Sequence, residues 1–402
     1  MRILIYGINY APELTGIGKY SGEMATWLAA RGHDVRMVTA PPYYPAWKVV
    51  APYSAKAYTR ENLKGVQVWR CPLWVPSRLS GVKRLIHLGS FALSSMPVML
   101  RQIFWRPQVV WVVEPAFFCT PAALITARAT GARAWLHIQD FEIDAAFDLG
   151  ILKGRLLRRI VLGVEGWITR QFDVVSTISQ RMLEKAKGKS VPQSRFNFFP
   201  NWVDLSTFNP TVEGVENYRR ELGIQADEVV ALYSGNMGGK QGLEILAEAA
   251  RACPDIRFIF CGDGGGRQDL MARCSGLQNV QFLGLQEVNR LPDFLSMADI
   301  HLLPQRADAA DLVMPSKLTG MLASARPVVA TAHPETELAT VVKTCGLVVP
   351  PENASALAEA LMLLKLDRDL RIRLGKVGLS YAMEHMDKES VLLRFERDLA
   401  AH

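Results

Sequence analysis

RILIYGINYAPELTGIGKYSGEMATWLAA, residues 2–30, has the makings of a strand, a turn and a helix in succession. The short apolar run from Ile3 to Tyr6 gives way to Gly7, Pro12, Gly16 and Gly18, and then Tyr20, Met24, Trp27 and Leu28 fall on one helical face. The helix is expected to begin about at Gly18 and to end near Gly32, a residue suited to a C-terminal cap. Glycines at a helix N-terminus leave unpaired N–H groups, a positive dipole end and no Cβ in the way, which favours an anion such as a sugar phosphate. A turn that uses glycine only for its geometry would read the same. A dinucleotide fingerprint fits less well, because GIN and TGIGKY do not form GxGxxG close behind the strand.

The pattern restarts at VVALYSGNMGGKQGLEILAEAA, residues 229–250, where a second strand runs into Gly235, Gly238, Gly239 and Gly242, then into a helix with Leu243, Leu246, Ala247 and Ala250 inward. Before it, VRMVT, VQVWR, VVWVV, ARAWLHI and DVVSTIS alternate with helix-length segments; after it come IRFIFCG, VQFLG, IHLLP and RPVVAT. Strands spaced by helices predict parallel sheets, hence an α/β chain of two doubly wound domains with a cleft between them, ligands lying outside the carboxyl ends of the strands. The turn-rich passage FFPNWVDLSTFNPTVEG places the boundary near residues 200–212. The last stretch, DKESVLLRFERDLA, is an amphipathic helix with Val391, Leu392, Phe395 and Leu399 on one face.

A chain of 402 residues suits two domains of roughly 200 residues each. With 49% hydrophobic and 21% charged residues it is globular rather than disordered. The six cysteines form no CxxC pair and several sit in apolar runs, so they are expected to be reduced core residues of a cytoplasmic protein. The N-terminal run lacks the h-region of a signal peptide. The net charge of +7 hides an asymmetry: residues 1–200 carry 26 Lys and Arg against 12 Asp and Glu, and the remainder 20 against 27. A basic N-terminal half suggests a phosphorylated substrate or an anionic membrane surface; no nucleic-acid signature accompanies it.

Three further places offer anion contacts. Lys240 sits in the second glycine turn, where a merely solvated lysine is the alternative. In ADLVMPSKLTGMLASARPVVAT, Pro315 begins a helix and leaves Ser316 and Lys317 in its first turn. FIFCGDGGGRQDL supplies Gly262, Asp263 and Gly264, as a nucleotide contact or simply a tight turn.

PELTGIGKY, FFPNWVD, SGNMGGKQGL and VMPSKLTGMLASARPVV together resemble the GT-B retaining glycosyltransferases of the group 1 family, and the opening looks like the glycosyltransferases of colanic-acid and exopolysaccharide biosynthesis. The resemblance implies an N-terminal acceptor domain, residues 1–205 with a returning C-terminal helix 385–402, and a nucleotide-sugar domain, residues 206–384. It implies a hexosyltransferase that needs no metal or cofactor and retains the anomeric configuration through an oxocarbenium-like state. Gly16 then contacts the donor diphosphate, and Asn201 matches an interdomain signature in which Trp202 replaces the usual glycine.

The family's Arg and Lys fall on Asn236 and Gln241, so the positive charge is left to Lys240 or Lys317. Its paired glutamates fall on Leu312 and Gly320, with Asp308 and Asp311 nearby as substitutes or as solvated loop carboxylates. Its His-Asp falls on Gln139 and Asp140, with His137 two residues earlier as a further candidate; Asp140 is the expected group orienting the acceptor hydroxyl, while a lone His137 on an alternating strand is more often a core histidine.

The segment SRLSGVKRLIHLGSFALSSMPVMLRQIFWR, residues 77–106, holds an apolar run of about 16 residues between basic flanks, short of the roughly 20 that span a bilayer. With Arg155, Arg158 and Arg159 it suits an interfacial helix on the inner face of a bacterial plasma membrane, or a buried helix with solvated ends. The expected partners are a nucleoside-diphosphate sugar, GDP-fucose or another GDP-sugar among the choices, and a lipid-linked oligosaccharide. A sugar-nucleotide epimerase of the same fold and a catalytically silent assembly subunit are the alternatives.

Overall fold

The computed structural model describes residues 1–13, 16–77, 81–114, 117–141, 154–187, 191–238, 241–307 and 315–401. The chain divides into two compact units, Met1–Pro200 with Leu392–His402, and Asn201–Val391.

In the first unit the elements run β1 (Arg2–Tyr6), α1 (Gly16–Ala30), β2 (Asp34–Thr39), β3 (Thr59–Leu63), β4 (Val66–Arg70), α2 (Gly81–Gln102), β5 (Val109–Glu114), α3 (Thr120–Thr130), β6 (Arg133–Ile138), α4 (Arg155–Thr169), β7 (Val174–Thr177), α5 (Gln180–Lys187) and β8 (Phe196–Phe198). They build one sheet in the order β3-β4-β2-β1-β5-β6-β7-β8, parallel except for β3. All six residues of β5 are buried, as expected where a parallel strand is covered on both faces. The polar edge strand β3 was not foreseen; Lys64 and Gly65, both at positive φ, turn it back on β4 as a two-residue hairpin.

The second unit continues with α6 (Val212–Glu221), β9 (Val229–Ser234), α7 (Glu244–Ala252), β10 (Ile256–Cys261), α8 (Arg267–Arg273), β11 (Val280–Leu283), α9 (Leu291–Ser296), β12 (Ile300–Leu303), α10 (Lys317–Ala323), β13 (Val328–Thr331), α11 (Glu337–Cys345), β14 (Gly346–Val349), α12 (Ala354–Leu366), α13 (Arg368–His385) and α14 (Lys388–Ala401). Its parallel sheet has the order β11-β10-β9-β12-β13-β14. Strand order reverses between β1 and β5 in one sheet and between β9 and β12 in the other, and such reversals open a crevice at the carboxyl ends.

Residues 201–205 and 385–391, expected with the first unit, belong to the second. Val203 bridges Asp387, its N–H donates to the Met386 carbonyl at 2.8 Å, and Lys388 pairs with Asp204 at 2.7 Å. From Leu392 onward α14 joins the first unit, where Phe395 lies against Trp111, Trp135 and Phe199. All six cysteines are free and buried.

Candidate active site

Polar and glycine-rich groups gather at the carboxyl ends of both sheets. In the second unit the turns after β9 and β10 are bound to each other: Gly235 N–H donates to Cys261 O, Met237 N–H to Asp263 O and Gly266 N–H to Met237 O, at 3.0, 2.8 and 2.7 Å. A Cβ at Gly262 would lie 1.9 Å from the Gly235 carbonyl oxygen, and one at Gly264 2.6 Å from that of Met237. Both glycines sit at positive φ, so packing and dihedral each require them. Gly262 and Gly264 thus serve turn-to-turn packing, and Asp263 is exposed with Oδ1 accepting from the Gly264 N–H.

Lys317 rises from the start of α10 beneath this turn. Its Nζ donates to Tyr233 Oη at 2.9 Å and lies 4.2 Å from the ring centroid; Tyr233 Oη in turn donates to the Asn236 carbonyl at 2.6 Å. A Cβ at Gly235 would stand 3.4 Å from Lys317 Nζ, so the ammonium is directly behind the turn. Burial brings its pKa down from 10.5 to about 7. The helix begins at Lys317, two residues later than expected, with Ser316 as the N-cap and Pro315 ahead of it. Asn236 is exposed; Gln241 is half-buried, and its Oε1 has no hydrogen-bond partner. Lys240, Asp308, Asp311 and Leu312 lie outside the described residues. Arg306, not singled out from sequence, packs its side chain against Gly242 and pairs with Glu244 at 3.7 Å. Only its place after β12 could have marked it.

In the first unit α1 starts at Gly16, two residues earlier than expected. Gly16 has φ +56°, and among the described residues nothing lies within 4 Å of its would-be Cβ. Gly18 differs: a Cβ there would meet Glu13 at 2.7 Å. The buried Glu13 carboxylate accepts from the Tyr43 and Tyr44 N–H groups, both at 3.0 Å, and from Asn9 Nδ2 at 2.9 Å. Burial raises its pKa, partly opposed by these donors. Gly18 is therefore a packing glycine. Glu13, which the sequence did not flag, ties the turn after β1 to the loop after β2.

At the end of β6, Gln139 is buried and Asp140 half-buried. His137 is a core residue: it is 1% exposed, stacked on Trp111 at 5.1 Å and hydrogen-bonded through Nδ1 to Ser176 Oγ at 2.9 Å. Burial lowers its pKa to about 3, so it stays neutral, and its place inside the sheet speaks against proton transfer to a substrate. Of the groups expected after β6, Asp140 is the carboxylate at the sheet's carboxyl rim.

α2 buries His87, Leu88, Phe91 and Met99 and exposes Val82, Ile86, Leu93 and Leu100, so the expected apolar run is divided between core and surface. No helix among the described residues is long and apolar enough to cross a membrane.

Residues 15–202 match the glycosyl transferase 4-like domain, and residues 228–367 match glycosyl transferases group 1. The colanic acid biosynthesis glycosyl transferase WcaI of Escherichia coli K12 is 44% identical, over 99% of this chain and 100% of its own. Among solved structures, sucrose-phosphate synthase from Thermosynechococcus elongatus has a TM-score of 0.79 at 18% identity, and Anabaena HepE, solved with UDP-glucose, 0.74 at 14%, each covering 100% of both chains. These likenesses give both sheets their place in the GT-B fold. Full-length similarity to WcaI and the two domain matches establish the rest: the chain belongs to the group 1 glycosyltransferases.

Proposed function

We propose that the chain moves a sugar, with retention, from a nucleoside-diphosphate sugar on the second unit to a lipid-linked oligosaccharide on the first, in exopolysaccharide synthesis of the colanic-acid kind. A GDP-sugar such as GDP-fucose is the first donor to try. The observation that carries this reading is Lys317, an ammonium set behind the Gly235 turn at the strand-order reversal. Supporting it are WcaI, named for colanic acid, and HepE, solved with UDP-glucose.

The scissile bond joins the anomeric carbon to the donor diphosphate, whose departing charge needs a cation. Lys317 supplies one in place of the family's Arg and Lys, with Pro315, Ser316, Asn236 and Gln241 around the same turn. Gly16, open at α1, takes the diphosphate from the first unit, and Asp140 orients the incoming hydroxyl and accepts its proton. In this scheme no metal enters.

The first unit meets the anionic cytoplasmic face of the membrane through α4. Leu156, Ile160, Val164 and Trp167, 72, 54, 48 and 59% exposed, form one stripe beside the exposed Arg155, Arg158 and Arg159. Leu156→Asp with Trp167→Asp should abolish flotation with vesicles rich in anionic lipid; unchanged flotation would remove α4 from the membrane contact.

The function is tested by incubating purified protein with GDP-, UDP-, ADP-, TDP- and CDP-sugars and a lipid-diphosphate acceptor. Transfer with release of one nucleoside diphosphate is expected. Isomerised free nucleotide sugar would point to an epimerase instead, and no turnover with any donor would favour the silent subunit.

A further inference from the structure

Beside the turn after β1, the loops following β2 and β4 line an open cavity of about 880 Å³ against α2, within the size range of small-molecule sites. Trp47, Trp74, Lys48, Lys56, Ser77 and Ser90 are among its lining residues, and no carboxylate among the described residues lines it. None of these groups enters the transfer scheme above.

The walls are fixed from within. Ser90 Oγ accepts from the Trp74 N–H at 2.9 Å, Ser94 Oγ donates to the Pro72 carbonyl, and the Leu73 N–H donates to Ala55 O at 3.0 Å. The buried His87 donates from Nδ1 to the Trp74 carbonyl at 2.6 Å and packs on Trp47 at 5.2 Å, so one imidazole braces both tryptophan-bearing loops. Buried Arg70 donates to the Ala11 and Ala40 carbonyls at 2.7 and 3.0 Å, and Glu13 holds Tyr43 and Tyr44. The loops that line the cavity are therefore tied to Ala11 and Glu13 in the segment after β1. It also adjoins α2, which contributes Ser90 and Ser94 to its wall and exposes Leu93, 72% accessible, between them in sequence.

Two lysines with no carboxylate among the described lining residues ask for an anion. Two indole rings and hydroxyls beside them ask for a ligand with both flat apolar faces and hydroxyl groups, as a sugar ring has. An apolar helix face next door suits a lipid tail.

We propose that this cavity binds the diphosphate and adjoining sugar of a lipid-linked acceptor, Lys48 and Lys56 meeting phosphate oxygens while Trp47 and Trp74 lie against the sugar. The assignment rests on the reading that the first unit takes the acceptor. It adds the site and the chemistry that recognises the ligand.

Binding is measured by calorimetry with three probes: glucosyl diphosphate esterified to citronellol, citronellyl diphosphate without sugar, and glucose 1-phosphate. The first should bind best. Lys48→Ala with Lys56→Ala should weaken it at least about tenfold, as expected for lost charge-assisted contacts. Trp74→Ala should weaken the glucosyl probe and leave citronellyl diphosphate unchanged. Equal binding of the glucosyl probe to wild type and the double-lysine variant, or none to wild type, overturns the proposal. Citronellyl diphosphate binding as tightly as the glucosyl probe overturns it in favour of a lipid-chain site; tighter glucose 1-phosphate binding overturns it in favour of a free sugar phosphate. Nucleoside diphosphate binding is measured on the same samples. If it persists in the variants while glucosyl binding proves independent of Lys48 and Lys56, the cavity assignment alone fails; if wild type binds no nucleoside diphosphate, the transfer reading fails separately.

Discussion

The glycine turn after β1 and the paired glycine turns after β9 and β10 look alike in sequence and differ in what occupies the place of the missing side chain. At Gly16 nothing among the described residues lies within 4 Å of it; at Gly262 and Gly264 the neighbouring turn's backbone does, at 1.9 and 2.6 Å. One glycine opens a surface and the others close a joint. A count of glycines therefore finds turns at strand ends, while the surroundings decide which glycine can face a ligand.

The sharpest way to break this contrast is Gly262→Ala, which forces a methyl group into a carbonyl oxygen and should cost the second unit about 3 kcal/mol or more in denaturant unfolding. A loss below about 1 kcal/mol would show that the joint yields easily. Next, Asp140→Asn should lower kcat for transfer at least about a hundredfold with little change in Tm. His137→Asn should do the reverse, lowering Tm through its lost place against Trp111 and Ser176 while leaving kcat largely intact.

Lys317→Met should weaken nucleoside diphosphate binding about tenfold or more. It also carries a pH signature. The group titrates near 10.5 when exposed and about 7 in the fold, so between those values the unfolded chain holds more protons and stability rises with pH. The slope, at most about 1.4 kcal/mol per pH unit, should vanish in Lys317→Met. Diphosphate affinity in the wild type should fall over the same range as Lys317 loses its proton. Smallest of all, Gly16→Ala should cost only about 1 kcal/mol of backbone strain, because no atom of the described residues stands in the way. Gly16→Trp, by contrast, should leave the fold standing and block donor use; unchanged donor affinity would take this turn out of the site.

Most of the fold was legible because parallel strands buried on both faces must be continuously apolar, as VVWVV and VVALY are. TRENL was not, since a polar edge strand carries no such run. The candidate site was legible where glycine, proline and lysine cluster after a strand, which singles out Gly16, Gly235 and Lys317 for the proposal. It was illegible where a residue's role comes from tertiary neighbours. Glu13, Arg70 and His87 each brace two loops distant in sequence, and no local spacing records that. For the same reason the sequence left His137 open between site and core: the alternation of β6 could not say that its neighbour would be Trp111 rather than solvent.

The most direct test of the central claim, that the Gly235 turn with Lys317 behind it holds the donor diphosphate, is a thermal-shift panel of GDP, UDP, ADP, TDP and CDP against wild type and Lys317→Met at pH 7. The account predicts that one nucleoside diphosphate raises Tm in the wild type and fails to do so in the variant. Equal shifts in both proteins, or none with any of the five, would contradict it.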